Sequence, residues 1–259
     1  TGLIQFKILN KISNKQELNS YEQKTYDLFI NRINLICKKA IKIKTPIFID
    51  AEESWIQDAI DKIVLSLMKK YNQKDVLVYN TLQMYRNDRI AYLNKTITVA
   101  KNENFKLGFK LVRGAYHEKE IARAKKNGYK TPVHLKKEDT DIDFNKSLEI
   151  CMSNIDIVSI CSGTHNIESS EYLISLMKEK GIKNNDKRIF SSQLLGMSDN
   201  ISYNLSKEGY NVCKYVPYGP VREVIPYLIR RAEENRSISG QMSRELQNII
   251  SERKRRKRA

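Results

Sequence analysis

GYNVCKYVPYGPVREVIPYLIRRAEENR, residues 209–236, contains a strand, a turn and a helix in one run. A short apolar segment ends in Tyr215, Pro217, Gly219 and Pro220 interrupt it, and a helical pattern follows. On that helix Tyr227, Arg230, Arg231 and Glu234 recur at i, i+3, i+4 and i+7, so one aromatic, two guanidinium groups and one carboxylate share a face. Ile225, Leu228, Ile229 and Ala232 have the same spacing and form an apolar stripe. A solvated charged side accounts for such a helix in isolation. Adjacent arginines behind an aromatic, hanging over a strand end, also suit the capture of a small carboxylate.

The same alternation extends over the rest of the chain. Further β-branched or aromatic runs lie at 3–9, 47–50, 76–79, 107–112, 155–161 and 188–191, and the strand of the quoted stretch covers 211–216. Helical patterns lie between them, for example at 21–40, 55–71, 86–100, 142–152 and 167–180. Alternating βα units predict a parallel sheet in an α/β fold. The 259 residues suit one large domain, and no Gly/Ser-rich or Pro-rich linker divides them. A closed (β/α)₈ barrel fits the length but needs an eighth strand. Because strand-like residues begin almost at Thr1, that strand is expected upstream, in a longer chain. A doubly wound open sheet is the rival, and no GxGxxG follows the first strand to support it.

Nearly every predicted strand ends in residues with chemical potential. Lys7 lies near the end of the first and Asp50 closes the second, with Glu52 and Glu53 beyond; Gln83 and Tyr85 follow the third. The fourth supplies Lys110, Arg113, Gly114 and Tyr116, the fifth Thr164, His165 and Asn166, the sixth Gln193, and the seventh Lys214 and Tyr215. In a barrel these ends converge on one rim, where such folds build their sites. Single members have bland explanations as caps and loops. A run of them points to a rim rich in cations, able to hold a phosphorylated cofactor together with an anionic substrate. Gly114 and Ala115 either allow backbone N–H groups to approach a phosphate or flavin edge, or make a tight turn into the next helix.

Other classes find little support. There is no hydrolase elbow and no Walker loop. The three histidines, His117, His134 and His165, lack metal-ligand spacing. Cys37, Cys151, Cys161 and Cys213 are widely separated and read as reduced, mostly buried thiols, with neither a disulfide framework nor a metal site. The net charge of +16 raises nucleic-acid binding, but the lysines are scattered and no aromatic residues interleave with them, so none is expected. No apolar run is long enough to span a membrane. The one basic cluster, at 253–258, follows an amphipathic pattern in which Met242, Leu246, Ile249 and Ile250 share a face. It reads as a solvated tail or as a contact for an anionic membrane surface. The expected organisation is a catalytic barrel over 1–240 and a helix with basic tail over 241–259.

Four blocks in order carry a family likeness: IDAEES at 49–54, KLVRGAYHEKEIARA at 110–124, GTHN at 163–166, and QLLGMSDNISYNL at 193–205 running on into the quoted stretch. YNTLQMY at 79–85 is a weaker fifth. With these the chain resembles proline dehydrogenase of the eukaryotic, mitochondrial type, a flavoprotein family that oxidises L-proline to 1-pyrroline-5-carboxylate. The resemblance implies a distorted (β/α)₈ barrel with its last helix over the mouth, and it adds the first barrel strand that this chain lacks. Without that strand two sheet edges are exposed, so activity is expected of the full-length protein. It implies that Arg230, Arg231 and Lys7 ion-pair the proline carboxylate, that Tyr215 and Tyr227 wall the ring, and that Glu234 orients the arginines. Asp50 would hydrogen-bond in the same network, placing Asp50, Lys110 and Tyr215 at the reacting centre. Gln83, Lys110, Arg113, Gly114, Ala115, Tyr116, Thr164, His165 and Asn166 would hold FAD. His117 stands where bacterial members often carry a larger aromatic. A quinone acceptor, docking on the matrix side of the mitochondrial inner membrane and proline as substrate follow from the same likeness.

Hydroxyproline dehydrogenase shares the expected fold and cofactor, and the Tyr215 phenol, which would crowd a ring hydroxyl, favours proline. A non-catalytic scaffold derived from the barrel would be expected to lose the rim cations, which this chain retains. A phosphate-binding barrel lyase would need a Gly-rich loop after Lys214, and YVPYGP does not resemble one.

Overall fold

The computed structural model describes residues 2–222, 224–229, 246–247, 249–251 and 253–256. Among them, six strands form one parallel sheet in sequential order: β1 (Ile47–Ile49), β2 (Val78–Gln83), β3 (Leu107–Val112), β4 (Val158–Gly163), β5 (Ile189–Leu194) and β6 (Val212–Tyr215). The sheet curls as a partial barrel. Helices connect the strands: α3 (Ser54–Tyr71), α4 (Arg89–Glu103), α5 (His117–Asn127), α6 (Lys137–Ser153), α7 (Ile167–Glu179) and α8 (Asp199–Lys207), preceded by α1 (Phe6–Ser13) and α2 (Ser20–Ile43). Every predicted helix in the interior of the chain is present, and the strand at 107–112 has the expected bounds. β2, β4 and β5 run two to four residues further C-terminal than predicted, so Gln83 ends β2 instead of following it.

The segment at 3–9 is a correction. It is helical, not a strand, and Lys7 lies exposed on α1. Ile4, Ile8 and Leu9 are buried, a spacing of four and five that makes a helical stripe, and this stripe packs on α3. Phe6 meets the edge of Trp55 with ring centroids 6.5 Å apart. The β-branched content of a short run outweighed its period in the sequence reading. Six strands therefore stand where seven were expected, among the described residues.

Alternation along the strands positions everything else. Val78, Leu82, Leu107, Phe109, Leu111, Val158, Ile160 and Ile189 point outward into the core they share with Val64, Leu93, Ile97, Phe144, Leu148, Leu173 and Met177 of the surrounding helices. The intervening residues face the inside of the curl. Local devices fix the connections. The α2 N-terminus carries a capping box in which Asn19 and Glu22 bond each other's backbone. Buried Asn72, after α3, accepts from the N–H groups of Leu77 and Val78 and donates to the Val78 carbonyl at 2.8 Å, fixing the entry to β2.

Outside the sheet, a polar knot docks α3 and α4 on β2. Asp61 accepts from Arg89 at 2.7 Å and from Gln57 and Asn80, both at 2.9 Å. The ions are almost fully buried, so each requires the other, and the knot specifies one helix register more than it adds net stability.

Candidate active site

The inner face of the curl is polar. The ladder sets Thr81 beside Lys110, and Lys110 beside Cys161. Asn80 bonds Asp61 between the outer helices, so its neighbour Thr81 points inward with Lys110. Lys110 ion-pairs with Asp50, one residue beyond β1, and its ammonium lies 5.8 Å from the Phe48 ring centroid. Two residues predicted for the reacting centre thus meet from strands that are not adjacent. The side chain of Lys110 is largely buried whereas Asp50 is exposed, so the carboxylate anchors the amine at the mouth.

The loops after the strands are bound to one another by the residues expected to hold FAD. Gln83 is buried; its Nε2 donates to the Glu52 carbonyl at 2.8 Å and its Oε1 accepts from Ala115 N at 3.2 Å, tying the loops after β1 and β3 to the end of β2. Gly114 has φ +136°, and a Cβ there would lie 2.5–2.7 Å from the Tyr85 ring. Its glycine is required by that ring and by the backbone sign. Arg113 is tethered at every nitrogen: Nε to Asp141 at 2.6 Å, one terminal nitrogen to Thr164 Oγ1 at 2.7 Å, the other to Ser169 Oγ at 3.0 Å. Its guanidinium lies 4.5 Å from the centroid of the Phe144 ring. Asp141 is partly buried, which raises its pKa, but the hydrogen bonds from Lys137 and Arg113 prevail and hold it below the usual carboxylate range. Thr164 also accepts from Asn166 N at 3.1 Å, and Asn166 caps α7 by accepting from Ser169 N at 2.7 Å. His165 Nδ1 and Ser198 Oγ are 3.0 Å apart. Tyr116 precedes α5, and its ring lies 5.7 Å from the Lys119 ammonium.

At the other end of the sheet, Tyr215 closes β6 and stands 5.6 Å, centroid to centroid, from Tyr227 on the following helical residues. The tyrosine pair read from the sequence therefore meets, although Ile225, Leu228 and Ile229 of the same turn are exposed. Arg230, Arg231 and Glu234 lie outside the described residues. Lys7, on α1, does not occupy a strand end. Lys214 faces outward to the Met197 carbonyl at 2.8 Å and Asp199 at 2.7 Å.

Some residues of this region went unread in the sequence. Thr81 Oγ1 is buried on the inner face with no hydrogen-bond partner. Cys161 and Cys213 face the same space. Glu120, fully buried on α5, accepts from Ser54 N and Ser54 Oγ, both at 2.6 Å, and so joins the start of α3 to α5. The period-two alternation that marks the outer core also marks Thr81 and the cysteines as inner. Glu120 has only its place in the EKEIARA block as a signal.

A family model described as "Proline dehydrogenase" matches residues 4–244. Proline dehydrogenase 1, mitochondrial, of Drosophila melanogaster is 39% identical over 245 residues, covering 91% of this chain and 36% of the relative. The human protein of the same name is 36% identical over 245 residues, with 93% and 40% covered. Hydroxyproline dehydrogenase of Xenopus laevis is 33% identical over 234 residues, with 88% and 50% covered. The chain thus spans half or less of the length of these relatives. Among solved structures, proline utilization A from Bdellovibrio bacteriovorus superimposes with a TM-score of 0.77 at 19% identity, covering 84% of this chain and 22% of that one.

Proposed function

The chain belongs to the proline dehydrogenase family, and we propose that it forms the catalytic wall of a mitochondrial flavoprotein oxidising L-proline to 1-pyrroline-5-carboxylate. The observation that carries this reading is the inner face of the sheet, where an anchored Lys110 lies across the curl from the Tyr215–Tyr227 pair. Its fit to a flavin rests on Lys110 and on the buried, unpartnered Thr81 hydroxyl beside it, a polar group that requires a ligand or solvent. Gln83, Lys110, Arg113, Gly114, Ala115, Tyr116, Thr164, His165 and Asn166 would surround FAD. The tethers of Gln83, Arg113, Thr164 and Asn166 make them a preorganised frame. When bound, the flavin supplies the two-electron acceptor for a hydride from the proline ring carbon beside nitrogen.

The chain's own residues then bind and orient. Lys110, held by Asp50, presents a positive charge to the inner space. Tyr215 and Tyr227 bound the ring, and Arg230 and Arg231, oriented by Glu234, take the carboxylate. Lys7 would join them only by reaching over from α1. Proline must arrive with its amine deprotonated, so turnover is expected to rise with pH. The closed barrel would need two further strands between β6 and β1, at least one of them upstream of Thr1. Electrons would pass to a quinone, with the helical, basic residues at 253–256 giving peripheral attachment to the matrix side of the inner membrane. The Tyr215 phenol favours proline over hydroxyproline.

Replacing Arg230 or Arg231 with Met tests the substrate assignment. The expected result is a KM for proline raised by roughly two orders of magnitude with FAD retained, the loss of a charge-assisted bidentate contact. An unchanged KM removes both residues from the site.

A further inference from the structure

Three inner-face residues have no part in the proline reading: Cys161 on β4, Ser192 on β5 and Cys213 on β6. The ladder places Lys110 next to Cys161 and Ser192 next to Cys213. Cys213 lies two residues before Tyr215, on the same side of its strand. Cys161 is 1% exposed, whereas Cys213 is only partly buried and open to small molecules. The two thiols interact directly, the Ser192 hydroxyl contributes to both, and Lys110 adds positive potential. One sulfur is thus surrounded by an S–H donor, an O–H donor and a cation, the setting that makes a thiol nucleophilic. Burial opposes charge on Cys161, so the negative charge belongs on Cys213. The Cys161 hydrogen bond, aided by Ser192 and Lys110, outweighs burial there and brings the Cys213 thiol down to about 6.

We propose that Cys213 is a modification site, oxidised by hydrogen peroxide to a sulfenic acid that does not pass on to a disulfide with Cys161. The thiolate attacks one peroxide oxygen. An S–O bond forms, the O–O bond breaks, the sulfur loses two electrons to the peroxide, and the departing hydroxide takes a solvent proton and leaves as water. Cys161 cannot resolve the product. β5 separates β4 from β6, which puts the two Cα atoms roughly 9 Å apart, beyond the ~7 Å that a disulfide spans. The added oxygen would stand between Tyr215 and Lys110 and obstruct substrate. That consequence rests on the proline-oxidising reading; the chemistry at the sulfur does not.

The test is treatment of the protein with equimolar hydrogen peroxide in the presence of dimedone, followed by peptide mass spectrometry. The expected result is an adduct on Cys213 at least about tenfold above Cys37 and Cys151, absent in Cys213→Ser. Should that variant misfold, iodoacetamide labelling of the unaltered protein gives an independent reading. The Cys213 rate should rise with pH and level off above about 6. A half-rise above pH 8, equal labelling of all four cysteines, or a Cys161–Cys213 disulfide peptide would overturn the assignment. Proline turnover should fall in step with the adduct and recover with dithiothreitol, whereas full turnover by the oxidised protein would refute the obstruction. A protein that labels at Cys213 but never oxidises proline would reject the function alone and leave the sulfur chemistry established.

Discussion

The two faces of the sheet are built by the same strands, offset by one residue, and they share almost nothing. Outward, Val78, Leu82, Leu107, Phe109, Leu111, Val158, Ile160 and Ile189 are buried among helices. Inward, Thr81, Lys110, Cys161, Ser192, Cys213 and Tyr215 line a polar space, with Asp50 at its mouth. The difference teaches that this fold keeps its stability on one side of the ladder and its chemistry on the other. A substitution should therefore act on the thermal midpoint or on turnover according to the parity of its position.

Phe109→Ala is the largest expected perturbation. It removes a fully buried ring from the outer core and should cost about 3–5 kcal/mol of stability. Below its lowered melting point the variant should keep its KM for proline; a raised KM at full folding would break the division between faces. Its mirror image is Lys110→Met, one residue further on. There kcat should fall by roughly two to three orders of magnitude, as when a preorganised electrostatic donor is lost, while the melting temperature holds or rises. A large fall in melting temperature would show the inner face to be structural as well.

Gly114→Ala should affect both quantities. The new Cβ would strike the Tyr85 ring at a backbone sign that side chains rarely adopt, costing about 1–3 kcal/mol and displacing the loop that follows β3. The smallest effect concerns acid stability. Partial burial raises the pKa of Asp88, but the hydrogen bonds and charges of Arg89 and Arg86 prevail and hold it below the ordinary carboxylate value. A depressed folded pKa stabilises above the unfolded value of about 3.9 and is lost as pH falls through the folded one. Urea midpoints of the wild type should thus drop more steeply below pH 4 than those of Asp88→Asn, with no change in proline kinetics near neutrality.

The sequence reveals the outer face well and the inner face in part. Alternating βα units stand out because apolar outer residues recur at strand and helix periods, and the 107–112 strand has its expected bounds for that reason. The first segment misleads because a seven-residue run is too short for its period to outweigh its β-branched content; Ile4, Ile8 and Leu9 form a helical stripe only once α3 is there to receive it. The site residues are legible one by one from strand ends and from the family likeness, as with Lys110, Asp50 and the Tyr215–Tyr227 pair. Their partners are not. Nothing in the order of residues says that Arg113 is held by Asp141, Thr164 and Ser169, or that Glu120 reaches back to Ser54, since these bonds join segments from 28 to 66 positions apart. The same holds for Cys161 and Cys213, whose local settings are unalike and which meet only through the curl of the sheet.

An absorbance titration of the FAD-loaded protein without oxygen tests the central claim most directly. Flavin bands that bleach with L-proline, and less readily with hydroxyproline, are the expected result. Bands unmoved by proline, or a protein that takes up no FAD, would contradict the claim and leave the polar inner face without its proposed chemistry.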